Sequence, residues 1–215
     1  MDEQKQYHHG DLKKLLIKSV IESVKNGNLE KFSIREAARL LEVSPAAPYN
    51  HFNDKQELIL ASIYFCKNEF INYLKNKILI NESHKNKKLA VIGKSYLQYA
   101  NDNPEVFIFM FSQTLSNKNR INNYQEFHQL FLTAINESFN LDDLRKRVSM
   151  NSAVNAAWSI IHGTACLIAS RTLSDEEVNG YINGNLFNEI SSIWAVGVSK
   201  PLVYSCLLYT SDAAD

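Results

Sequence analysis

The sequence predicts an all-α protein in two parts, a small N-terminal three-helix unit followed by a larger helical domain. Three observations carry this. Glycine and proline are scarce, seven and four in 215 residues, too few for the turns of a sandwich or barrel. Apolar residues recur at spacings of three and four along most of the chain. No stretch reads as a strand, and no internal repeat is visible. Apolar residues make up 45% of the chain, enough to build a core and to argue against disorder.

The elements follow in order. Over 11–26, Leu12, Leu15, Leu16, Ile17, Val20, Ile21 and Val24 form one helical stripe, and Gly27 is its stop signal. Ser33 is a good N-cap, with Glu36 three residues on to complete a capping box. Ile34, Ala37, Ala38 and Leu41 are the buried face of this second helix, which ends near Leu41 or Glu42. Next comes "SPAAPYNHF", residues 44–52. Ser44 can cap here, and Pro45 suits a first helical position. Pro48 removes a bond where intrahelical bonding should begin, so the expectation is a single turn or a 3₁₀-like helix. Asn53 and Asp54 can cap a long helix from about Asp54 to Leu79. Further helices are expected over 87–101, from Pro104 through "VFIFMFS", and through "YQEFHQLFLTAINESF" after a polar loop "SNKNRINN". A long one is expected over 144–172, and a last one from about Asp175 or Asn185 to Val198.

Charge and composition limit the function classes. Lys plus Arg and Asp plus Glu are 23 each, so the net charge is zero. The first sixty residues also balance, nine against nine. Binding to nucleic acid must then come from where charges are placed, not from a basic domain. Cys66, Cys166 and Cys206 have no CxxC spacing, so neither a disulfide framework nor a zinc site is expected. His8–His9 has no third ligand nearby, and no metal or cofactor is expected. There is no Gly-rich phosphate loop, no GxSxG and no paired acid cluster, which argues against an enzyme. His162 and Cys166 have the residue types of a nucleophile pair, but they share an apolar helix face where neither is easily activated. The start is polar and no apolar run reaches about 18 residues, so the expectation is a cytoplasmic protein without a membrane span.

The helices at about 33–41 and 45–52, joined by a short turn, have the spacing of a helix-turn-helix. In such units the N-terminal half of the second helix enters the major groove. Small residues such as Ala46 and Ala47 would let the backbone approach the bases. The segment "FSIREAARLLEVSPAAPYNHFNDKQELILA" resembles the DNA-binding domain of the tetracycline-repressor (TetR) family of transcription regulators. That family's pattern is a Ser or Thr cap, an Ala pair, a Gly-Val-Ser turn, Tyr-x-x-Phe and Lys-x-x-Leu. Here the matching residues are Ser33, Ala37–Ala38, Val43–Ser44, Tyr49–Phe52 and Lys55–Leu58. The chain departs at Glu42, where glycine is usual, and at Pro48, where an aliphatic residue is commoner. "YHHGDL" and "AAPYNHF" resemble one branch, whose C-terminal domain carries Trp-x-x-x-His-Gly (WHG). "WSIIHG", Trp158–Gly163, matches that motif.

The resemblance implies a DNA-binding domain over 8–60 and a WHG-like sensing and dimerisation domain over 61–200. Ser33, Tyr49 and Lys55 would hold phosphates. Ser44, Ala46 and Asn50 would face base edges, since Asn can pair bidentately with adenine. Arg35, Pro45, Ala47 and His51 complete the candidate DNA surface, with Lys5 and His8 in an arm near the backbone. The plain alternative for Tyr49 and Phe52 is core packing. The partner would be double-stranded DNA with a palindromic operator, read by a homodimer.

Tyr96, Phe107, Met110, Phe111, Phe127, Phe131, Trp158, His162 and Cys166 are the candidate lining of a small-molecule inducer pocket. Trp158, His162 and Cys166 fall at i, i+4 and i+8 on one helix face. The plain alternative is a core helix with one satisfied histidine. The dimer face is expected on the last two long helices, at Ala153, Ala156, Ala157, Ala165 and Ala169 and at Phe187, Ile190, Ile193 and Trp194. The final "CLLYTSDAAD", 206–215, resembles a translated sequencing adapter and is expected to be non-native. The abundance of Asn, Lys and Ile over Arg suits an AT-rich bacterial genome.

Overall fold

A computed structural model describes residues 9–80, 88–112, 117–138 and 148–199, with side chains described for 12–80, 88–112, 125–137 and 148–198. Lys5, His8 and the 206–215 tail lie outside these residues. The described chain is all-α. Its helices are α1 (His9–Lys25), α2 (Ile34–Leu40), α3 (Lys55–Ile80), α4 (Lys88–Asp102), α5 (Pro104–Phe111), α6 (Asn117–Ser138), α7 (Met150–Ala169), α8 (Asp175–Ile182) and α9 (Leu186–Ser199). Short 3₁₀ turns lie at Leu29–Lys31 and Ala47–Asn50.

Local chemistry explains the boundaries. α1 ends in a Schellman motif, in which Gly27 N–H bonds Val24 C=O and Asn28 N–H bonds Ser23 C=O. Gly27 has φ +66°. α2 ends the same way, with Glu42 N–H on Arg39 C=O and Val43 N–H on Ala38 C=O. Glu42 therefore holds φ 58° without being glycine. α7 repeats the motif with Arg171 at φ 56°, bonding Ile168 C=O while Thr172 bonds Leu167 C=O. Ser149 caps the start of α7 and Ser174 that of α8, the latter as a complete capping box with Glu177.

Four boundary expectations need correction. Ser33 does cap α2, but the Glu36 carboxylate turns to Arg39 and leaves the capping box half made. α6 starts at Asn117, inside the expected polar loop. Its Asn, Lys and Arg residues are polar but, without Gly or Pro, do not forbid a helix. α7 starts only at Met150, because Ser149 is extended and caps it. The expected final helix begins at the later of its two candidate starts, and the stretch from Asp175 is a separate helix, parted from it near Asn183–Asn185.

α3 has 26 residues, about 39 Å at 1.5 Å per residue, and joins the two ends of the fold. Its beginning closes the N-terminal unit on α1, and its later turns pack with α4, α5 and α6. α1 also touches α5. The buried apolar residues form one continuous cluster from Leu12 to Val198. α7 packs on α4, α5, α6 and α9. Its length and composition would suit a membrane span. Instead Ala153, Val154, Ala157, Ile161, Ala165 and Ile168 bury its inner face in the bundle. The Trp194 indole donates to the Ala153 carbonyl at 3.2 Å and ties α9 to α7.

Candidate DNA-binding surface and aromatic cluster

The turn after α2 presents a small exposed ridge. Ala47 N–H bonds Ser44 C=O, Tyr49 N–H bonds Ala46 C=O, and His51 and Phe52 N–H both bond Pro48 C=O. In this 3₁₀-type ladder Pro48 takes the slot that has no donor. The helix is thus one 3₁₀ turn, Ala47–Asn50, as Pro48 led us to expect. Its start differs from expectation. Ala46, not Ser44, is the N-cap residue, and Pro45 lies in the preceding turn. Pro48 is buried and Phe52 is 3% exposed, so these two anchor the ridge to the core. Packing of the proline ring against the N-terminal unit is the tertiary gain that the local pattern could not reveal.

Ser44, Pro45, Ala46, Asn50 and Arg35 are exposed, while Ala47 and His51 are half-buried. Tyr49 is 47% exposed, which settles its position outside the core. The Ser33 hydroxyl accepts the Glu36 N–H. Lys55 donates to the Glu30 carbonyl at 3.3 Å, with its ammonium 5.9 Å from the centre of the Phe32 ring. One of its three N–H donors is thereby used. Asp54 accepts the Glu57 N–H, and Glu57 reaches back to the Asn53 N–H, which fixes the first turn of α3 beside Lys55. The expected DNA residues between Ser33 and Lys55 therefore lie on α2, where Arg35 sits, on the turns flanking it and at the start of α3.

The expected pocket residues also converge. Phe111 lies 4.4 Å from His162, Phe127 stacks on Trp158 at 6.1 Å, and Tyr96 sits 5.7 Å from Phe107, ring centre to ring centre. Met110 and Phe131 are fully buried. Phe70, which the sequence reading passed over, lies 4.9 Å from Tyr96 and 4.4 Å from Tyr99. The Tyr96 hydroxyl and His162 Nδ1 are 2.9 Å apart. His162 Nε2 and the Cys166 sulfur are 3.6 Å apart.

Burial holds the Tyr96 phenol far above its usual range, with the Trp158 indole beside it working the other way. The phenol keeps its proton and is the natural donor to Nδ1. Burial first, then the charge of Lys67, lowers the His162 pKa and keeps the imidazole neutral. Burial also raises the Cys166 thiol, so this pair is not an activated nucleophile. Lys67 itself was missed. It is 5% exposed, with its ammonium 5.5 Å from the Phe111 ring centre. The signal was present, because Ile63, Phe70, Ile71 and Leu74 flank it at i−4, i+3, i+4 and i+7, all buried.

Two further placements bear on function. A surface groove of about 460 Å³ runs between α3 and α6, past Tyr64, Ile78, Leu130 and Thr133. None of the expected pocket residues borders it. Much of the expected dimer face is corrected. Ala153, Ala157, Ala165, Ala169, Phe187 and Trp194 are buried within the chain itself. They pack α7 and α9 into their own bundle, and Ala156 and Ile193 remain outward.

No family model matches the chain, and no curated protein matches it. Solved structures do. A protein of unknown function from Rhodococcus sp. RHA1 superposes with TM-score 0.73 at 21% identity, over 92% of this chain and 100% of its own. A TetR family transcription regulator from Marinobacter aquaeolei VT8 gives TM-score 0.55 at 16% identity, over 80% of this chain and 91% of its own. A bacterial regulatory protein in the TetR family from Rhodococcus RHA1 gives TM-score 0.55 at 16% identity, over 80% and 95%. At these identities the likeness is one of fold: this chain shares the all-α architecture of those regulators.

Proposed function

We propose that the chain is a sequence-specific DNA-binding transcription regulator of the TetR type, in the branch with the WHG motif. Its mode is repression by a bacterial, cytoplasmic homodimer that a small apolar or aromatic ligand releases from a palindromic operator. The observation that carries the DNA reading is the exposed ridge Ser44–Asn50. Pro48 and Phe52 anchor it from below, and Ala46, Tyr49 and Asn50 project from it. A short, small-residue ridge can approach base edges closely. Tyr49 and Lys55 would contact phosphates, Lys55 with the two donors left over from Glu30.

The test is operator selection from random duplexes, then gel-shift titration. Tyr49→Ala and Lys55→Ala should weaken all duplexes alike, with the Lys55 change lowering the salt slope by about one. Asn50→Ala should relax preference at one base pair, worth about 1–3 kcal/mol of discrimination. Equal affinity of wild type and Tyr49→Ala for DNA would sink the interface.

The aromatic cluster supports the sensing half of the reading. It lies where α3, α4, α5, α6 and α7 meet, and α3 leads directly to the ridge. A ligand that fits one arrangement of these helices better shifts the population and, through α3, the ridge.

A further inference from the structure

Lys13 lies outside the motif that runs from Ser33 to Lys55. It sits in the first turns of α1, is exposed, and holds its ammonium 5.6 Å from the centre of the Phe52 ring. Phe52 is the buried residue that anchors the exposed ridge, and α1 packs against the 3₁₀ turn Ala47–Asn50 itself. Lys13 is therefore fixed beside the ridge by the ring of the ridge's own anchor. Lys55 stands in the same way, 5.9 Å from the centre of the Phe32 ring. Two lysines far apart in sequence are each held on an aromatic ring next to one short turn.

A ring orients an ammonium without cancelling it. A carboxylate partner would neutralise the charge, whereas an aromatic face leaves it whole and leaves its N–H donors for another acceptor. Neither Lys13 nor Lys55 has an ion pair among the described residues. Arg39, by contrast, is spent on Glu36 through two hydrogen bonds. Acids beside the ridge are also engaged: Glu57 accepts the Asn53 N–H, and Asp54 accepts the Glu57 N–H. The first sixty residues hold nine basic and nine acidic side chains, so a grip on phosphate there depends on which charges are paired off and which stay open. We propose that Lys13 is a second phosphate-binding cation, which joins Lys55 in holding the DNA backbone beside the ridge. The proposal rests on the reading of Ser44–Asn50 as the DNA-contacting ridge and adds a residue to it. Docking one such ammonium releases about 0.9 of a condensed counterion, which is worth about eightfold in affinity at 0.1 M salt and vanishes toward 1 M.

The test is fluorescence-anisotropy titration of the full chain with a labelled random-sequence duplex at a series of salt concentrations. Lys13→Gln should lose about eightfold in affinity per subunit at about 0.1 M salt and lower the salt slope by about 0.9 per subunit, while Lys13→Arg should keep both. Lys94→Gln is the control, since Lys94 is likewise held on a ring, 5.9 Å from the centre of Phe187 in the larger domain, and should change neither. A Lys13→Gln protein with an unchanged slope, at full or evenly reduced affinity, makes the lysine a brace for Phe52 and overturns the proposal. An equal loss in Lys94→Gln makes the effect one of overall charge and overturns it too. In either case a slope lowered by Lys55→Ala leaves the DNA reading standing. If the wild type binds no duplex, both fall. Acetylation of the wild type, read by mass spectrometry, decides the point even if the glutamine variant does not fold. The duplex should protect Lys13 and Lys55 and leave Lys94 unchanged; a Lys13 that reacts equally with and without DNA overturns the proposal.

Discussion

Glu42→Gly tests the backbone geometry on which the proposed DNA-binding ridge depends. Glu42 is exposed and holds φ 58° at the position after α2 where a Schellman motif wants glycine. A left-handed conformation costs an L-residue about 1–2 kcal/mol. Glycine removes that cost but has more freedom when unfolded, which takes back about 0.5–1 kcal/mol. The net gain should be about 0.5–1 kcal/mol. For a chain of this size, about 1 kcal/mol moves the melting midpoint by about 2–4 °C. The shift expected for Glu42→Gly is therefore about 1–4 °C upward. Glu42→Ala is the control, since it removes the same carboxylate and keeps the Cβ that causes the strain. It should melt close to wild type. The assay is thermal unfolding followed by circular dichroism at fixed protein concentration. A glycine variant that melts no higher than the alanine variant refutes the claim that the turn is strained.

Three other changes probe other parts of the fold. A Cβ on Gly93 would stand 2.3 Å from the Phe187 ring, which is 1% exposed and has nowhere to go. Gly93→Ala should cost about 1–3 kcal/mol and lower the melting midpoint by several degrees, with DNA affinity per folded molecule unchanged; an unaltered midpoint contradicts the packing of α4 on α9. His162 has a pKa below its ordinary 6.5 in the folded chain, so as pH falls through about 6.5 the unfolded chain takes up the proton first and stability is lost. His162→Gln should flatten that acid limb in urea titrations between about pH 7 and 5, and an unchanged limb assigns the loss to other groups. Ile193 is 72% exposed on α9 and Val196 48%; Ile193→Asp should convert a dimer to monomer by light scattering without lowering monomer stability, and a persistent dimer moves the interface elsewhere.

The fold class and most elements were legible because they rest on local signals. The apolar spacing of α1, the proline opening α5 and the Ser33 cap each act within a few residues. For the candidate site the sequence foretold groupings rather than roles: the pattern from Ser33 to Lys55 is dense, and the expected pocket aromatics fall on helix faces that meet. What failed had tertiary causes. The alanines of α7 have the same spacing whether they face a second copy or their own bundle. The neighbours that bury Ala153 and Ala165 come from helices dozens of residues away. The polar start of α6 and the break between α8 and α9 were misjudged because composition is a weak guide where no proline or glycine is decisive.

Pro48 and Lys67 are two instances of one rule. Each looks wrong for its local role, a proline within a helix and a lysine within a buried stripe. Local propensities count against both, so something beyond the local chain must hold them there. For Pro48 the gain is structural. Its ring is buried, its missing donor falls in a ladder already of the short 3₁₀ type, and the ridge above it stays narrow enough for a groove. For Lys67 the surroundings are aromatic and apolar: its ammonium is 5.5 Å from the centre of the Phe111 ring, and it shares the buried face of α3 with Ile63, Phe70 and Ile71. The same helix that carries Lys67 begins at Lys55, beside the ridge. The proposed sensing cluster would act on α3 near its middle and the proposed DNA grip lies beside its start, so one 26-residue helix would carry both.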